Sequence, residues 1–271
     1  MPALRVRGFT LLEMVVTISI LGILSAAVAV YLQRPIEGYF DTTRRAQLVE
    51  TADFALRRIS RDLAASVPNS VRASATEPAL ELLMARSGGR YCNAADCGTP
   101  LPGAIASFSV IGPNVVVANG DSVVIGNLPA SAACDAYAAT PTTGNRRVLN
   151  FSATPTPTIA FNGGTAFDSN CAEITRRFQI VVGPVTFGCF ASTLKRYSGY
   201  AIAASQPSLA TLEATAASAA ALATNVDCAA TATAFDDTAR GEGLVELRIT
   251  LKDASGESVK LYRQVKVDNA P

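Results

Sequence analysis

A long apolar segment near the N-terminus constrains this chain more than any other feature of its sequence. From Phe9 to Leu32 there are 24 consecutive residues with a single charged side chain, that of Glu13. As a helix, such a segment spans roughly 36 Å and can cross the ~30 Å hydrocarbon core of a bilayer. Arg5 and Arg7 precede it and no acid does, which places the N-terminus in the cytoplasm. We therefore expect one transmembrane helix over this segment, with the rest of the chain exported.

Glu13 is the unusual residue of this segment, because an ionised acid deep in lipid costs about 2.5–3.5 kcal/mol unless it finds a partner. Cleavage of the chain after Gly8 would create such a partner, the α-amino group of Phe9, in the same subunit or in a neighbour. A plain membrane anchor would leave both Glu13 and the Gly8-Phe9 pair unexplained.

The run Gly8-Phe9-Thr10-Leu11-Leu12-Glu13 resembles the prepilin-type signal of type IV pilins and type II secretion pseudopilins. The resemblance implies that a membrane-bound prepilin peptidase removes residues 1–8 as a leader and methylates the new N-terminal residue, Phe9. It also implies that Glu13, the fifth residue of the mature chain, pairs with the N-terminus of a neighbouring subunit during filament assembly.

The same resemblance implies the partners and the location of the protein. The expected partners are prepilin peptidase, other major and minor pilins that contact the N-terminal helix, and an inner-membrane assembly platform. The protein would be a single-pass inner-membrane protein with a periplasmic globular domain, and it would later enter a pilus or pseudopilus filament.

A conventional secretory signal is the alternative interpretation of the N-terminus. Ala27-Val28-Ala29 fits the small-x-small rule for signal peptidase at the end of an apolar region. Cleavage there would release a soluble product that begins at Val30. The position of Glu13 at the edge of the apolar region and the long segment before that region argue against this alternative.

The absence of histidine from all 271 residues excludes several classes of enzyme. Neither Ser-His-Asp nor Cys-His catalysis can be built without it, and the commonest zinc ligand is missing. No nucleophile with a nearby base and no phosphate-binding loop is recognisable, so we expect no enzyme activity and no cofactor. A net charge of +1 argues against a nucleic-acid-binding surface.

A small acidic cluster, Asp227, Asp236 and Asp237, lies near a predicted loop. The resemblance to pseudopilins raises the question of calcium, since some of them bind it in their globular domain, but these acids do not match a ligand pattern. Paired CxxC spacing for zinc is also missing from the sequence. We therefore predict no metal site and interpret the cluster as solvated loop acids.

All the cysteines lie in the exported part of the chain. They are Cys92, Cys97, Cys134, Cys171, Cys189 and Cys228. An even number of cysteines in an oxidising compartment predicts up to three disulfides, with fifteen possible connectivities. Cys92 and Cys97 are close enough for a local loop bridge. Cys189 and Cys228 flank an alanine-rich insertion and are a reasonable pair, which would leave Cys134 for Cys171, but the sequence does not decide between the connectivities.

A helical pattern continues beyond the apolar segment. Asp41–Arg45 and Asp53–Arg57 are acid-before-base pairs at i,i+4, which favour helix. We predict one helix over 9–67, which can bend at Pro35, with an apolar stripe that packs on the chain's own globular domain over 68–271. The stripe consists of Leu48, Val49, Ala52, Leu56, Ile59 and Leu63.

The region after residue 68 has short apolar runs separated by turn-forming residues. These runs predict strands over 79–84, 108–111, 114–118, 122–125, 146–151, 177–182 and 186–190. Asn119-Gly120 predicts a hairpin turn between the third and fourth of them. The alanine-rich stretch 201–234 leaves two alternatives open, a helix over 208–223 or a poorly ordered insertion.

The clearest strand signal is a C-terminal hairpin made by 244–251 and 259–267, where polar and apolar residues alternate. The predicted fold class is therefore α+β. A long pilin-type N-terminal helix, transmembrane in its first half, packs on a C-terminal, mainly antiparallel β domain.

Further stretches are similar to minor pilins of the mannose-sensitive haemagglutinin (MSHA) pilus system. They are residues 41–48, 56–59, 67–72, 194–202, 257–265 and 267–271. The first function implied is structural, a minor pilin that takes part in pilus assembly or initiation, with a minor pseudopilin of a type II secretion system as its near neighbour. The second function, of a different class, is an exported or tip-located adhesive binding module.

Overall fold

The computed structural model describes residues 8–92, 101, 103, 106–128, 131–140, 142–150, 156–171, 176–230, 235–236 and 243–267. The chain divides into two compact units, Met1–Leu48 and Val49–Pro271. Helix α1, Leu11–Ala64, crosses the boundary between the units. Its residues up to Leu48 belong to the first unit, and those from Val49 onward belong to the second.

Helix α1 confirms the predicted single long helix, and it continues through Pro35. It is long and apolar enough to cross a membrane, and every residue from Gly8 to Leu32 is exposed. Apolar residues exposed on all sides of a helix are typical of a segment that contacts lipid.

From Ala52 onward, one face of α1 is buried within the second unit. Val49, a predicted member of that face, is 39% exposed because it lies at the margin of the stripe. Leu48 is 8% exposed. The residues of this face that are at most 1% exposed are Ala52, Ala55, Leu56, Ile59 and Leu63, so the predicted stripe is confirmed over most of its length.

Helix α1 ends three residues earlier than predicted, because the chain joins a sheet there. The carbonyl of Ala65 accepts a hydrogen bond from the N–H of Ala85 at 3.0 Å, and Ser66 forms an isolated antiparallel bridge with Met84.

The strands of the second unit form two antiparallel sheets. Those described are β1 (Arg72–Ala73), β2 (Ala79–Tyr91), β3 (Ser107–Ile111), β4 (Ser122–Val124), β5 (Arg146–Val148), β6 (Thr158–Ala160), β7 (Arg177–Phe190), β8 (Thr193–Ser198), β9 (Ser218–Thr224), β10 (Phe235–Asp236), β11 (Leu244–Lys252) and β12 (Ser258–Lys266). Helix α2, Leu209–Thr215, lies between β8 and β9.

The larger sheet has nine strands and is centred on the pairing of β2 with β7. Strands β1 and β3 also pair with β2, while β4 and β8 also pair with β7. Strands β5, β6 and β9 extend the sheet by pairing with β4, β3 and β8. The register of β2 on β7 shifts between Met84 and Ser87, which marks a β-bulge.

The smaller sheet has the order β10-β11-β12 and contains the predicted C-terminal hairpin. Pairing runs from Leu244 opposite Lys266 to Lys252 opposite Ser258. Val245, Leu247 and Ile249 on one face of β11 are at most 2% exposed. This alternation of buried and open positions confirms that one face of the hairpin packs inward.

The prediction of a hairpin around Asn119-Gly120 is wrong. The turn forms, with the N–H of Asp121 donating to the carbonyl of Ala118 at 3.1 Å. The preceding segment, 114–118, is not a strand, and Val115 forms an isolated bridge with Thr156. The turn is held instead by the carboxylate of Asp121, which accepts from the N–H of Ala118 at 2.8 Å.

The helix considered for 208–223 forms only in its first part. Ser208 caps α2 through its side chain, which accepts from the N–H of Thr211, and the buried Leu209 and Leu212 fix the helix to the unit. The alanines that follow have smaller side chains than Leu209 and Leu212, and they form β9 by pairing with β8. Backbone pairing with an existing strand outweighs the helix propensity of alanine here.

Other predicted strands differ from the observed ones in length. The run predicted at 79–84 extends to Tyr91 as β2, and those at 177–182 and 186–190 join into β7. Strand β5 ends at Val148, while residue 151 of its predicted range lies outside the described residues.

Two disulfides join Cys134 to Cys171 and Cys189 to Cys228, the pairs that the sequence favoured without deciding. The first ties together two short 3-10 helices, Ala132–Cys134 and Ser169–Cys171. The second closes the segment that contains β8, α2 and β9. Cys92 is also disulfide-bonded, whereas Cys97, its predicted partner, lies outside the described residues.

An aromatic cluster fills the core at one end of the β2–β7 pair. The ring of Phe108 lies 5.1 Å from that of Phe178 and 6.3 Å from that of Tyr91, both in edge-to-face geometry. Phe161 extends the cluster to Phe167 at 5.5 Å. All five rings are at most 4% exposed, and such pairs stabilise a core beyond the area they bury.

Gly126→Ala should destabilise the globular unit far more than Gly120→Ala. Both glycines have positive φ, +54° and +87°, which costs alanine about 1–2 kcal/mol. A Cβ at Gly126 would also lie 1.8 Å from the carbonyl oxygen of Cys171, whereas one at Gly120 meets no atom within 4 Å. Moving that backbone adds about 1–3 kcal/mol. We expect the free energy of unfolding to fall by about 3 and about 1 kcal/mol respectively, measured by urea unfolding followed by circular dichroism.

Equal losses in the two variants would contradict the close packing of Gly126 against the 3-10 helix that contains Cys171.

Candidate functional site

The Gly8–Phe9 junction lies outside helix α1 and is not covered by the described rest of the chain. Both residues precede Leu11, where the helix begins, and Phe9 is 76% exposed. The peptide bond at which the sequence predicts cleavage is therefore accessible in an irregular segment.

Thr10 separates this junction from the helix. Its hydroxyl oxygen accepts a hydrogen bond from the N–H of Glu13 at 3.3 Å, and its carbonyl accepts from the N–H of Met14 at 3.2 Å. These contacts make Thr10 the N-cap of α1. The sequence interpretation missed this role, although the Thr10-x-x-Glu13 spacing of a capping box signals it.

Glu13 lies in the first turn of α1 with its side chain exposed. A carboxylate is favoured there, because the N-terminal end of a helix carries partial positive charge. The backbone N–H of Glu13 donates to the hydroxyl of Thr10. Among the residues that the structure describes, no group donates a hydrogen bond to the carboxylate of Glu13. That carboxylate is therefore not occupied by a donor from the described part of the chain.

Two hydroxyl groups of the apolar segment donate to carbonyls within the helix. Thr17 donates to the carbonyl of Met14 at 2.9 Å, and Ser19 donates to that of Val15 at 2.8 Å. Polar groups bonded in this way suit a segment surrounded by hydrocarbon.

Carboxylates of α1 fix its C-terminal part to the sheets of the second unit. Asp62 is 5% exposed and accepts from Arg196 of β8 at 2.7 Å. Asp53 lies 3.2 Å from the guanidinium of Arg263 in β12. The burial of Asp62 makes its ion pair more important to the fold, because unpairing a buried charge costs several kcal/mol.

A second buried ion pair joins β1 to β2. Nε of Arg72 lies 2.6 Å from a carboxylate oxygen of Glu81, whose side chain is fully buried. The other guanidinium nitrogens donate to the carbonyls of Ala204 at 2.6 Å and Ala203 at 2.9 Å. One arginine therefore connects the sheet to a loop more than a hundred residues further along the chain.

Two tyrosines complete this network. The hydroxyl of Tyr200 donates to Glu81 at 3.0 Å, and the guanidinium carbon of Arg72 lies 3.6 Å from the ring centre of Tyr137. Stacking of this kind suits the planar arginine group. The carbonyl of Ser70 accepts from Tyr137 at 2.8 Å, which adds the segment before β1 to the network.

Burial shifts the titration of these groups. Desolvation raises the pKa of the Glu81 carboxyl, and the hydrogen bond and charge of Arg72 oppose that rise. Burial and the neighbouring Glu81 charge raise the pKa of Tyr200, and burial raises that of Tyr137. Both tyrosines therefore stay neutral and remain donors at physiological pH.

The acidic cluster predicted at 227, 236 and 237 does not assemble as a metal site within the described ranges, where no group of three His, Cys, Asp or Glu could hold an ion. Asp227 accepts from the N–H of Ala230 at 3.1 Å and lines an open groove of about 490 Å³ with Asp253. The side chain of residue 236 and the whole of residue 237 lie outside the described part.

Comparison with known proteins identifies one family feature. The family model of the prokaryotic N-terminal methylation motif matches residues 4–29. The match includes Gly8, Phe9, Thr10 and Glu13. No curated protein and no solved structure matches the chain.

Arg72→Met should destabilise the globular unit by about 3–5 kcal/mol at pH 7.5, because it leaves the buried Glu81 charge unpaired. The hydrogen bond and charge of Arg72 oppose the burial that raises the pKa of Glu81, so this pKa rises further in the variant. Glu81 therefore becomes neutral at a higher pH in the variant than in the wild type, and its protonation removes the unpaired charge as pH falls. The deficit of the variant relative to the wild type should therefore shrink between pH 7.5 and pH 5, measured by urea unfolding.

The matched control is Arg72→Met combined with Glu81→Gln, which has no carboxyl at this position to titrate. Its stability relative to Glu81→Gln alone, which also lacks this carboxyl, should not depend on pH through this site. A deficit of Arg72→Met that is the same at both pH values would contradict the role of Arg72 in lowering the pKa of Glu81.

Proposed function

We propose that this chain is a minor pilin similar to MshO of the MSHA pilus. The premise is the methylation motif, which indicates a type IV pilin-like or pseudopilin-like protein anchored by a single helix. The chain would take part in assembly or initiation of the filament after processing by prepilin peptidase. The observation that carries the proposal is the exposed Gly8–Phe9 junction, followed in one helix by a Glu13 carboxylate that has no partner among the described residues and by an apolar membrane-length segment.

Cleavage at this junction would alter the charge next to Glu13. Hydrolysis of the Gly8–Phe9 amide releases Gly8 as a carboxylate and leaves Phe9 with an α-amino group, which methylation keeps cationic. A cation in hydrocarbon seeks an anion, and Glu13 supplies one. Pairing with the Glu13 of a neighbouring subunit would favour entry of the processed chain into a filament and would disfavour entry of the unprocessed chain.

The globular unit supports the minor-pilin assignment in two ways. It contains more than 200 residues, Val49–Pro271, a size that suits initiation or the filament tip better than a repeating shaft. The stretches that resemble MSHA minor pilins, 67–72 and 194–202, also meet in the structure, because Tyr200 and Arg72 both contact Glu81.

The first test is the N-terminus of the protein in native membranes. We expect intact mass and N-terminal sequencing to show a chain that begins at Phe9 and carries one methyl group, with residues 1–8 absent. A chain that begins at Val30 would contradict the proposal, since it would have lost most of the membrane helix.

Glu13→Val should abolish incorporation into filaments while leaving the precursor in the membrane, because the variant lacks the carboxylate that pairs with a neighbour's amine. The measurement is immunoblotting of sheared filaments against the membrane fraction. Thr17→Val is the matched control, since the Thr17 hydroxyl bonds within its own helix, and it should assemble normally. Normal assembly of Glu13→Val would contradict the pairing role.

A further inference from the structure

The start of helix α1 depends on the side chain of one residue. Thr10 caps the helix through the 3.3 Å hydrogen bond from the N–H of Glu13 to its hydroxyl oxygen. The first carbonyl of the helical hydrogen-bond ladder is also that of Thr10, which accepts from Met14 at 3.2 Å. The carbonyl of Gly8 therefore precedes the ladder.

The residues around Thr10 specify the same starting point. Glu13 occupies the third helical position, as in a capping box, while Phe9 and Met14 occupy the two positions of a hydrophobic staple. An N-cap residue has a non-helical backbone, so this arrangement keeps the preceding Gly8–Phe9 bond outside the helix. The short signal at the cleavage site thus also encodes where the helix begins.

We propose that Thr10 is a positioning residue for removal of the leader. Its hydroxyl makes α1 begin at Leu11, and the Gly8–Phe9 bond is therefore presented to the peptidase in an open, irregular segment. The inference rests on the proposed function, because it requires cleavage at this bond.

The chain offers an alternative cap that explains what Thr10 prevents. Glycine ranks close to threonine as an N-cap, far above alanine or valine, and Gly8 is the first such residue upstream of Thr10. If the Thr10 oxygen is removed, the helix gains by starting two residues earlier, with Gly8 as its N-cap.

That shift would engage the scissile bond in the helix. The carbonyl of Gly8 would accept the first helical hydrogen bond, from the N–H of Leu12, and Phe9 would enter the first turn. Hydrolysis requires water to add to the carbonyl carbon of Gly8 and the bond from that carbon to the nitrogen of Phe9 to break. A carbonyl held in the first helical turn is less accessible to this reaction.

The test is the initial rate of leader release from the full-length chain in proteoliposomes with purified prepilin peptidase, followed by mass spectrometry. Thr10→Val keeps the shape of the side chain without its oxygen, and we expect a rate about fivefold lower, the equivalent of about 1 kcal/mol. Thr10→Ser keeps the oxygen and should stay within about twofold of wild type. Thr17→Val, which removes a hydroxyl one to two turns into the helix, should be cleaved at the wild-type rate.

A second measurement reports the helix start itself. The ¹³Cα chemical shift of Phe9, in labelled full-length chain in micelles, should be non-helical in the wild type and in Thr10→Ser and should move to the helical range in Thr10→Val.

The outcomes separate this inference from the proposed function. A wild-type chain that is not cleaved after Gly8 overturns the proposed function. Cleavage of wild type and Thr10→Val at equal rates overturns only the role of Thr10. Slow cleavage of both Thr10 variants, or of Thr10→Val with an unchanged Phe9 shift, means that the peptidase reads the side chain directly, which also overturns the positioning role.

Discussion

A buried ion pair between Arg72 and Glu81 is the interaction on which the arrangement of the globular unit depends. Charges removed from water must be matched by donors and acceptors, because an unpaired buried charge costs several kcal/mol. The arginine meets this requirement with Glu81 and with two carbonyls of the loop at 203–204, and the tyrosine at 200 supplies a further donor. Segments that are far apart in sequence are therefore held on one strand, β2.

The C-terminal part of α1 is a component of the globular core and not a flexible tether to it. Its buried face includes Leu56 and Ile59, and its carboxylate at Asp62 pairs with Arg196 of β8. Displacement of this part of the helix would therefore expose apolar surface and break a buried ion pair.

The sequence predicted elements well where their signal is local and less well where pairing is long-range. The period-two alternation in 244–267 predicted β11 and β12, since each strand's partner is its neighbour in the chain. The segment 114–118 is also apolar, but among the described residues it is not part of a strand, and Val115 forms an isolated bridge with Thr156. The alanines at 218–224 favour helix by propensity, yet β8 presents an edge on which they form β9.

What the sequence alone determined is the part of the protein that consists of contiguous residues: a membrane-length apolar helix, an N-terminal methylation motif that includes Gly8, Phe9 and Glu13, and a C-terminal hairpin. Each follows from spacing within a few turns or one strand pair. Only the tertiary structure decided the strand order, the disulfide pairs described, and the enclosure of Arg72 and Glu81. These features depend on which distant segments pair their backbone N–H and C=O groups and which side chains neutralise a buried charge. Local sequence patterns do not predict either.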